Sequence, residues 1–259
     1  MLGAIAGDII GSVYEFNNYR AKDFQPLFHP QAHFTDDTVC TVAIADTLLH
    51  ERDPTQTLQD WCRRYWHNGG WGQKFIRWIA TETPAPYGSY GNGAAMRVSA
   101  AGFLADSLEA ALDAAFRVTT ITHNHPEGLK AAQATTAAIW WARQGWGAEA
   151  IRQAITDRFG YDLTATVDEI RPTYRHSEAS QDSVPQAIIC ALEASDFEDA
   201  VRNAVSIGGD SDTIAAIAGS IAEARFGIPE DIARQAWSCL PNDMRLVLTA
   251  VYAKLEEAA

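Results

Sequence analysis

The chain has 259 residues, with 20 Lys plus Arg against 33 Asp plus Glu and a formal net charge of −13. Hydrophobic residues at 47% and charged residues at 20% exclude a disordered chain, because there is enough apolar surface to bury a core. The negative balance argues against general binding to nucleic acid or anionic membranes, which are themselves polyanions, and is compatible with carboxylates gathered around cations.

The N-terminal stretch MLGAIAGDIIGSVYEF opens apolar but has no basic leader and is interrupted by Asp8 and Glu15, so it does not read as a signal peptide. Gly3, Ala6, Gly7 and Gly11 recur there at helical spacing, which lets backbones approach closely. Residues 38–50 repeat apolar side chains at helical period, and 107–118 do so behind Ser107, a candidate N-cap. The Ala-rich run 128–143 closes at Gly145, and 147–159 ends at Gly160. Further helical patterns cover 185–195, 197–206, 212–226 and 230–238; Gly227 and Pro229 stop the third of these. No period-two run of β-branched residues is present. The expectation is an all-α, compact single-domain multi-helix bundle over 1–259, with roughly ten to thirteen helices.

No run of 18 apolar residues occurs, so no membrane span is expected. Cys40, Cys62, Cys190 and Cys239 are widely spaced and form no CxxC, so they read as buried free thiols in a reducing compartment; a cytoplasmic protein is expected.

Two short segments stand out. Phe34-Thr35-Asp36-Asp37-Thr38 precedes one Ala-rich helix, and Gly208-Gly209-Asp210-Ser211-Asp212-Thr213 precedes another. Either alone reads as a helix cap, since Asp and Thr accept from N-terminal amides and acids suit the positive end of the helix dipole. A cap needs one acceptor, however, and two matching clusters supply several. If Asp36, Asp37, Asp210 and Asp212 converge, four negative charges require protonation or cations, and Glu15 would add a fifth. The donors are all oxygens, which favour Mg²⁺, Mn²⁺ or Ca²⁺ over zinc, and two such ions match four charges.

The Gly-rich stretch 86–93, PYGSYGNG, could cradle an anion with its amides, although it is neither a GxxxxGK[ST] loop nor a GxGxxG turn. His123 and His125 lie two apart before Pro126; one is expected at a ligand and the other as a cap. Trp61, Trp66, Trp71 and Trp78 read as packing residues around Asn68-Gly69-Gly70, and Tyr14, Phe16 and Tyr19 as shapers of the mouth near Glu15.

Taken in order, four blocks resemble the ADP-ribosylglycohydrolase family: Gly3 to Glu15, Thr35-Asp36-Asp37-Thr38, Ser89-Tyr90-Gly91-Asn92-Gly93-Ala94-Ala95-Met96-Arg97, and Gly208 to Thr213, with Ile121-Thr122-His123 between the last two. The resemblance implies an all-α fold with a dinuclear Mg²⁺ centre (Mn²⁺ as substitute) and cleavage of the N- or O-glycosidic bond at C1″ of ADP-ribose. On matching positions it implies that Thr35, Asp36, Asp37 and Asp212 hold one metal and Asp210, Asp212 and Thr213 the other. It implies that Glu15 lies beside the metals, that Ser89, Tyr90, Gly91 and Asn92 bind the phosphates and distal ribose, and that His123 lies near the diphosphate. The catalytic base is then Glu15 or Asp36. The expected partner is an ADP-ribosylated protein or a small ADP-ribosyl substrate, met by a monomer. The chain is short for that family, and no motif names the acceptor linkage. A dinuclear-metal phosphohydrolase of a nucleotide, or an ADP-ribose-binding protein without catalysis, would use the same residues.

Overall fold

A computed structural model describes residues 1–257. It contains fourteen α-helices: α1 (Leu2–Gly11), α2 (Asp36–Leu49), α3 (Pro54–Arg64), α4 (Gln73–Ala80), α5 (Ser99–Leu104), α6 (Leu108–Thr120), α7 (Pro126–Arg143), α8 (Ala148–Phe159), α9 (Val167–Ile170), α10 (Ser180–Glu193), α11 (Phe197–Ile207), α12 (Ser211–Phe226), α13 (Glu230–Ser238) and α14 (Asn242–Glu257). Single 3-10 turns lie at Trp66–Asn68 and Asn92–Ala94. Among the described residues there is no strand; Gly91 and Ala179 form an isolated antiparallel bridge. Among the described residues no helix is long and apolar enough to cross a membrane. The all-α expectation stands. The helix count exceeds the expected range because α5 and α9, at six and four residues, are too short to show a period.

α1 and α12 form the centre. Every residue of α1 is buried, as is α12 from Ser211 to Ala222, the pattern of helices covered on all sides. The two run antiparallel in backbone contact. A Cβ on Gly3 would stand 2.4 Å from the Gly219 carbonyl oxygen, one on Gly7 2.0 Å from that of Ala215, and one on Gly11 2.6 Å from Asp212 Cα. The N-terminal run of small residues is therefore a packing surface. α7 presents buried Ala131, Ala132, Ala134, Ala137 and Ala138 to its neighbours, so α5, α6, α10 and α12 all reach it. A single apolar cluster draws on side chains from Met1 to Val251.

Local signals act as read. Ser107 caps α6 by accepting from Ala110 N at 3.2 Å, and Gly160 ends α8 in the left-handed region at φ 69°. α10 starts at Ser180, not 185, so Pro185 lies inside it. The amide lost there would have met the carbonyl of Gln181, which is exposed and can bond water instead. Cys40, Cys62 and Cys190 are buried free thiols as expected, but Cys239 is exposed because it caps α13 at the surface. Trp61, Trp71 and Trp78 are buried, whereas Trp66 is partly exposed.

Gly7→Ala should destabilise the protein by about 2 kcal/mol or more, because backbone, not a flexible side chain, occupies the space. That is a fall in melting temperature of roughly 4–8 °C for a chain of this size. An unchanged melting temperature would mean that α1 and α12 do not touch at Gly7.

Candidate active site

The α1–α12 contact delivers Glu15 to the second acidic segment. α1 ends against Asp212 at Gly11, and the chain turns through a Tyr14 N to Gly11 O bond of 2.8 Å. One carboxylate oxygen from each of Glu15, Asp210 and Asp212 then lies within 4.8 Å of the others. The turn before α12 requires glycine, since Gly208 and Gly209 have φ of 73° and 79°. Asn18 ties this turn to the Glu15 loop. Its Oδ1 accepts from Gly209 N at 2.9 Å, and its Nδ2 donates to the carbonyls of Gly209 at 3.0 Å and Tyr14 at 2.7 Å. No pattern in the sequence marked Asn18, because its bonds reach almost 200 residues along the chain.

Asp8 organises the first segment. It is fully buried on α1 and caps α2 from another helix: its carboxylate accepts from Thr35 N at 2.9 Å, Thr35 Oγ1 at 2.7 Å, Thr38 N at 3.1 Å and Thr38 Oγ1. Thr35 in turn accepts from Asp37 N at 3.3 Å. With caps supplied by Asp8 and Thr35, Asp36 and Asp37 are not needed for capping. Asp36 Oδ1 accepts from Gly70 N at 2.9 Å. Asp37 Oδ2 accepts from Thr213 Oγ1 at 3.2 Å, which joins the two acidic segments, while its buried Oδ1 has no partner. Asp210 Oδ2 accepts from Asn92 Nδ2 at 2.7 Å.

Burial, then the neighbouring carboxylates, push Asp37 and Asp212 well above the ordinary range. Burial also raises Asp36, to about 6, against an opposing bond from Gly70. Glu15 is raised to about 7 by burial and by the charges of Asp210 and Asp36. A divalent cation in the cluster would reverse these repulsions. The residues fit one: the donors are all oxygens, Asp37 Oδ1 is an orphaned acceptor, and the Glu15–Asp210–Asp212 triangle has the dimensions of a cation site.

The cluster floors a cavity of about 640 Å³. A second wall is the 67–75 segment, where Gly69 and Gly70 face the cavity; among the tryptophans there, Trp71 stacks on Trp66 and tilts on Phe75 instead. The third wall carries Ser89, Gly91, Asn92, Arg97 and His123. Tyr90 does not line the cavity; its half-exposed ring meets the edge of His125 at 5.4 Å. His125 caps α7 by accepting from Glu127 N, so His123 is the cavity histidine. Near the mouth only Phe16 of the three aromatic residues lines the cavity; Tyr14 packs on Phe24 in the core, and Tyr19 packs against both.

The Gly-rich loop is less open than its composition suggests. Gly88 N donates to Asn124 Oδ1 at 2.7 Å, Gly91 N to Ser89 Oγ at 3.3 Å and Asn92 N to the Glu178 carbonyl at 2.8 Å. Among the described residues the amides of Ser89 and Tyr90 donate no hydrogen bond within the protein. The loop is held by the start of α10, where Ser180 donates from N to the Tyr90 carbonyl at 2.9 Å and from Oγ to the Gly91 carbonyl at 2.8 Å. Behind it, Arg97 Nη2 donates to Thr122 Oγ1 at 2.7 Å, and Thr122 Oγ1 lies 2.7 Å from His123 Nδ1. Burial and the Arg97 charge hold His123 well below the usual imidazole range, so it is neutral.

The ADP-ribosylglycohydrolase family model matches residues 1–258. The chain is 24% identical over 275 residues to ADP-ribosylarginine hydrolase Tri1 of Pseudomonas putida (strain GB-1), covering 92% of this chain and 73% of that protein. It is 25% identical over 309 residues to ADP-ribosylhydrolase ARH3 of Mus musculus, covering 89% and 83%. A solved structure titled ADP-ribosylglycohydrolase-related protein complex has the same fold, with a TM-score of 0.73, 24% identity, and coverage of 98% of this chain and 97% of that one. With the family match running from the first helix to the last, the chain belongs to the ADP-ribosylglycohydrolase family and is a glycosidic hydrolase of that class.

Proposed function

We propose that the chain, acting as one catalytic domain and as a monomer, is a Mg²⁺-dependent hydrolase of the glycosidic bond at C1″ of ADP-ribose. It frees ADP-ribose from a modified protein side chain or a small ADP-ribosyl metabolite. The observation that carries this is the polarity of the cavity: carboxylates from the ends of α1, α2 and α12 on its floor, and Arg97 with His123 in one wall. A ligand with a polyol at one end and a diphosphate beyond it matches that arrangement. The arginine and general ADP-ribosyl linkages in the relatives' names set the first acceptors to try. We take the compartment to be the cytoplasm, on the ground of the buried free thiols.

Thr35, Asp36, Asp37, Asp210, Asp212 and Thr213 would hold two Mg²⁺ ions, or Mn²⁺ in their place. Bound there, the ions would supply Lewis-acid polarisation and a more acidic water. Glu15 is the better base. Its carboxylate receives no protein hydrogen bond among the described residues, whereas Asp36 is committed to Gly70. Bond breaking at C1″ passes through an oxocarbenium-like state, as in glycoside hydrolysis generally. Ser89, the Tyr90 backbone, Gly91 and Asn92, with His123, hold the phosphates and ribose away from water.

Asp212→Asn should abolish Mg²⁺-dependent release of ADP-ribose from ADP-ribosylated arginine or serine peptides or O-acetyl-ADP-ribose, read by mass spectrometry. Release of inorganic phosphate instead would establish the phosphohydrolase reading, and binding without turnover a non-catalytic one. Glu15→Gln should lower kcat by on the order of a hundredfold or more while leaving KM near its wild-type value, as removal of a general base does. An unchanged kcat would transfer the role to Asp36.

Chelated protein should show a defined pH dependence. The Glu15 pKa of about 7 in the folded state exceeds its ordinary 4.5, so the native state binds this proton more tightly. That contribution is complete below about pH 4.5 and is lost as pH rises through 7. Melting temperature after dialysis against chelator should therefore fall between pH 5 and pH 8, and added Mg²⁺ should raise it more at pH 8. A rise with pH would contradict the crowded-carboxylate account.

A further inference from the structure

Arg97 is 1% exposed, yet among the described residues its guanidinium finds no carboxylate. Its hydrogen bonds go to Thr122 and His123, its Nε has no partner, and Phe75 lies under it at 6.0 Å. A buried cation without an ion pair is costly, so what it does in place of pairing bears on its role.

We propose that Arg97, through the Thr122 hydroxyl, fixes the tautomer of His123, so that Nδ1 accepts and Nε2 presents its proton to the ligand cavity. The argument is a count of protons. Thr122 Oγ1 accepts from Arg97 at 2.7 Å and has one proton to give. One candidate acceptor, the Thr119 carbonyl, is 3.5 Å away and already takes the amides of Thr122 at 3.1 Å and His123 at 2.9 Å. The other is His123 Nδ1 at 2.7 Å, so the hydroxyl proton goes there. Arg97 Nη2, itself only a donor, also stands 3.5 Å from Nδ1 and disfavours a proton on it. A neutral imidazole that accepts at Nδ1 must donate at Nε2.

Nε2 has somewhere to donate. A Cβ on Gly93 would lie 3.3 Å from it and one on Gly91 3.6 Å, so this nitrogen faces the loop and the cavity across two glycines. Among the described residues no protein acceptor meets it. Because most loop amides are already used, this N–H is a principal donor for an anionic group. Arg97 and Thr122 are thus positioning residues, and His123 is a fixed donor to a phosphate oxygen and not a proton-transfer group. The identity of the phosphate ligand rests on the proposed function; the tautomer does not.

The test separates the two. Long-range ¹H–¹⁵N spectra of the full-length protein, with His123 assigned by His123→Gln, should show Nδ1 unprotonated and Nε2 protonated, with and without ADP-ribose. A proton on Nδ1, or an even mixture, overturns the proposal. Thr122→Val removes the relay hydroxyl at nearly equal volume. It should mix the tautomers and weaken ADP-ribose binding roughly tenfold, the scale of one hydrogen bond to a charged group. Adenosine binding should be unchanged, melting temperature should fall because Arg97 loses a buried acceptor, and Thr122→Ser should restore the wild-type spectrum, affinity and melting temperature. If Thr122→Val leaves the spectrum unchanged, Thr122 is not the relay and the proposal fails. Absence of ADP-ribose binding by wild type would defeat the functional reading, while the spectrum would still decide the tautomer.

Discussion

The structure depends on the backbone contact between α1 and α12. Three glycines on one helix and Gly219 on the other allow a separation that no side chain would permit. That approach buries α1 completely and aligns its end with the start of α12. It also carries Asp8 to the head of α2 and Glu15 to Asp210 and Asp212. Both acidic segments are thus positioned by one helix, and a shift of α1 would disturb both.

The site concentrates charge that the fold alone does not neutralise. Helix starts favour acidic groups through their free amides and dipoles, which explains why carboxylates can gather at the heads of α2 and α12. The gathering exceeds what capping requires, because Asp8 and Thr35 already satisfy the first turn of α2. The surplus appears as raised proton affinity at Glu15, Asp36, Asp37 and Asp212 and as an orphaned oxygen on Asp37. Such a cluster favours cations. The Arg97–Thr122–His123 chain gives another wall of the cavity a different sense, with a buried positive charge behind a neutral imidazole.

The candidate site is built less from the Gly-rich loop than its sequence suggests. Asn124, Ser89 and the Glu178 carbonyl occupy three of its amides, and α10 anchors it from behind. Rigidity gained this way preorganises the remaining donors, so less order has to be imposed when a ligand binds. Asn92 has a double function in the geometry, lining the cavity and bonding Asp210, so loop and acidic floor are a connected unit.

Periodicity and punctuation in the sequence determine the helices: Ala-rich runs, Ser107, Gly160, and the Gly227–Pro229 stop all act locally, within a turn or two of the residues that carry them. The acidic segments and the glycine spacing of α1 were legible for the same reason, since a cap and a packing stripe leave marks in a few consecutive residues. The convergence of those segments was not, because it depends on contacts between residues far apart in the chain, such as Thr213 with Asp37 and Asn18 with Gly209. Nor could sequence separate Glu15 from Asp36: both are acids near small residues, and only the fold commits Asp36 to Gly70 and leaves the Glu15 carboxylate without a hydrogen bond among the described residues. Tyr90 and Cys239 show the limit from the other side, being in the expected segments but turned to the surface by packing. Local chemistry chose the elements and the candidate ligands; tertiary structure decided which of those groups face one another, because facing is a property of helix approach and not of spacing along the chain.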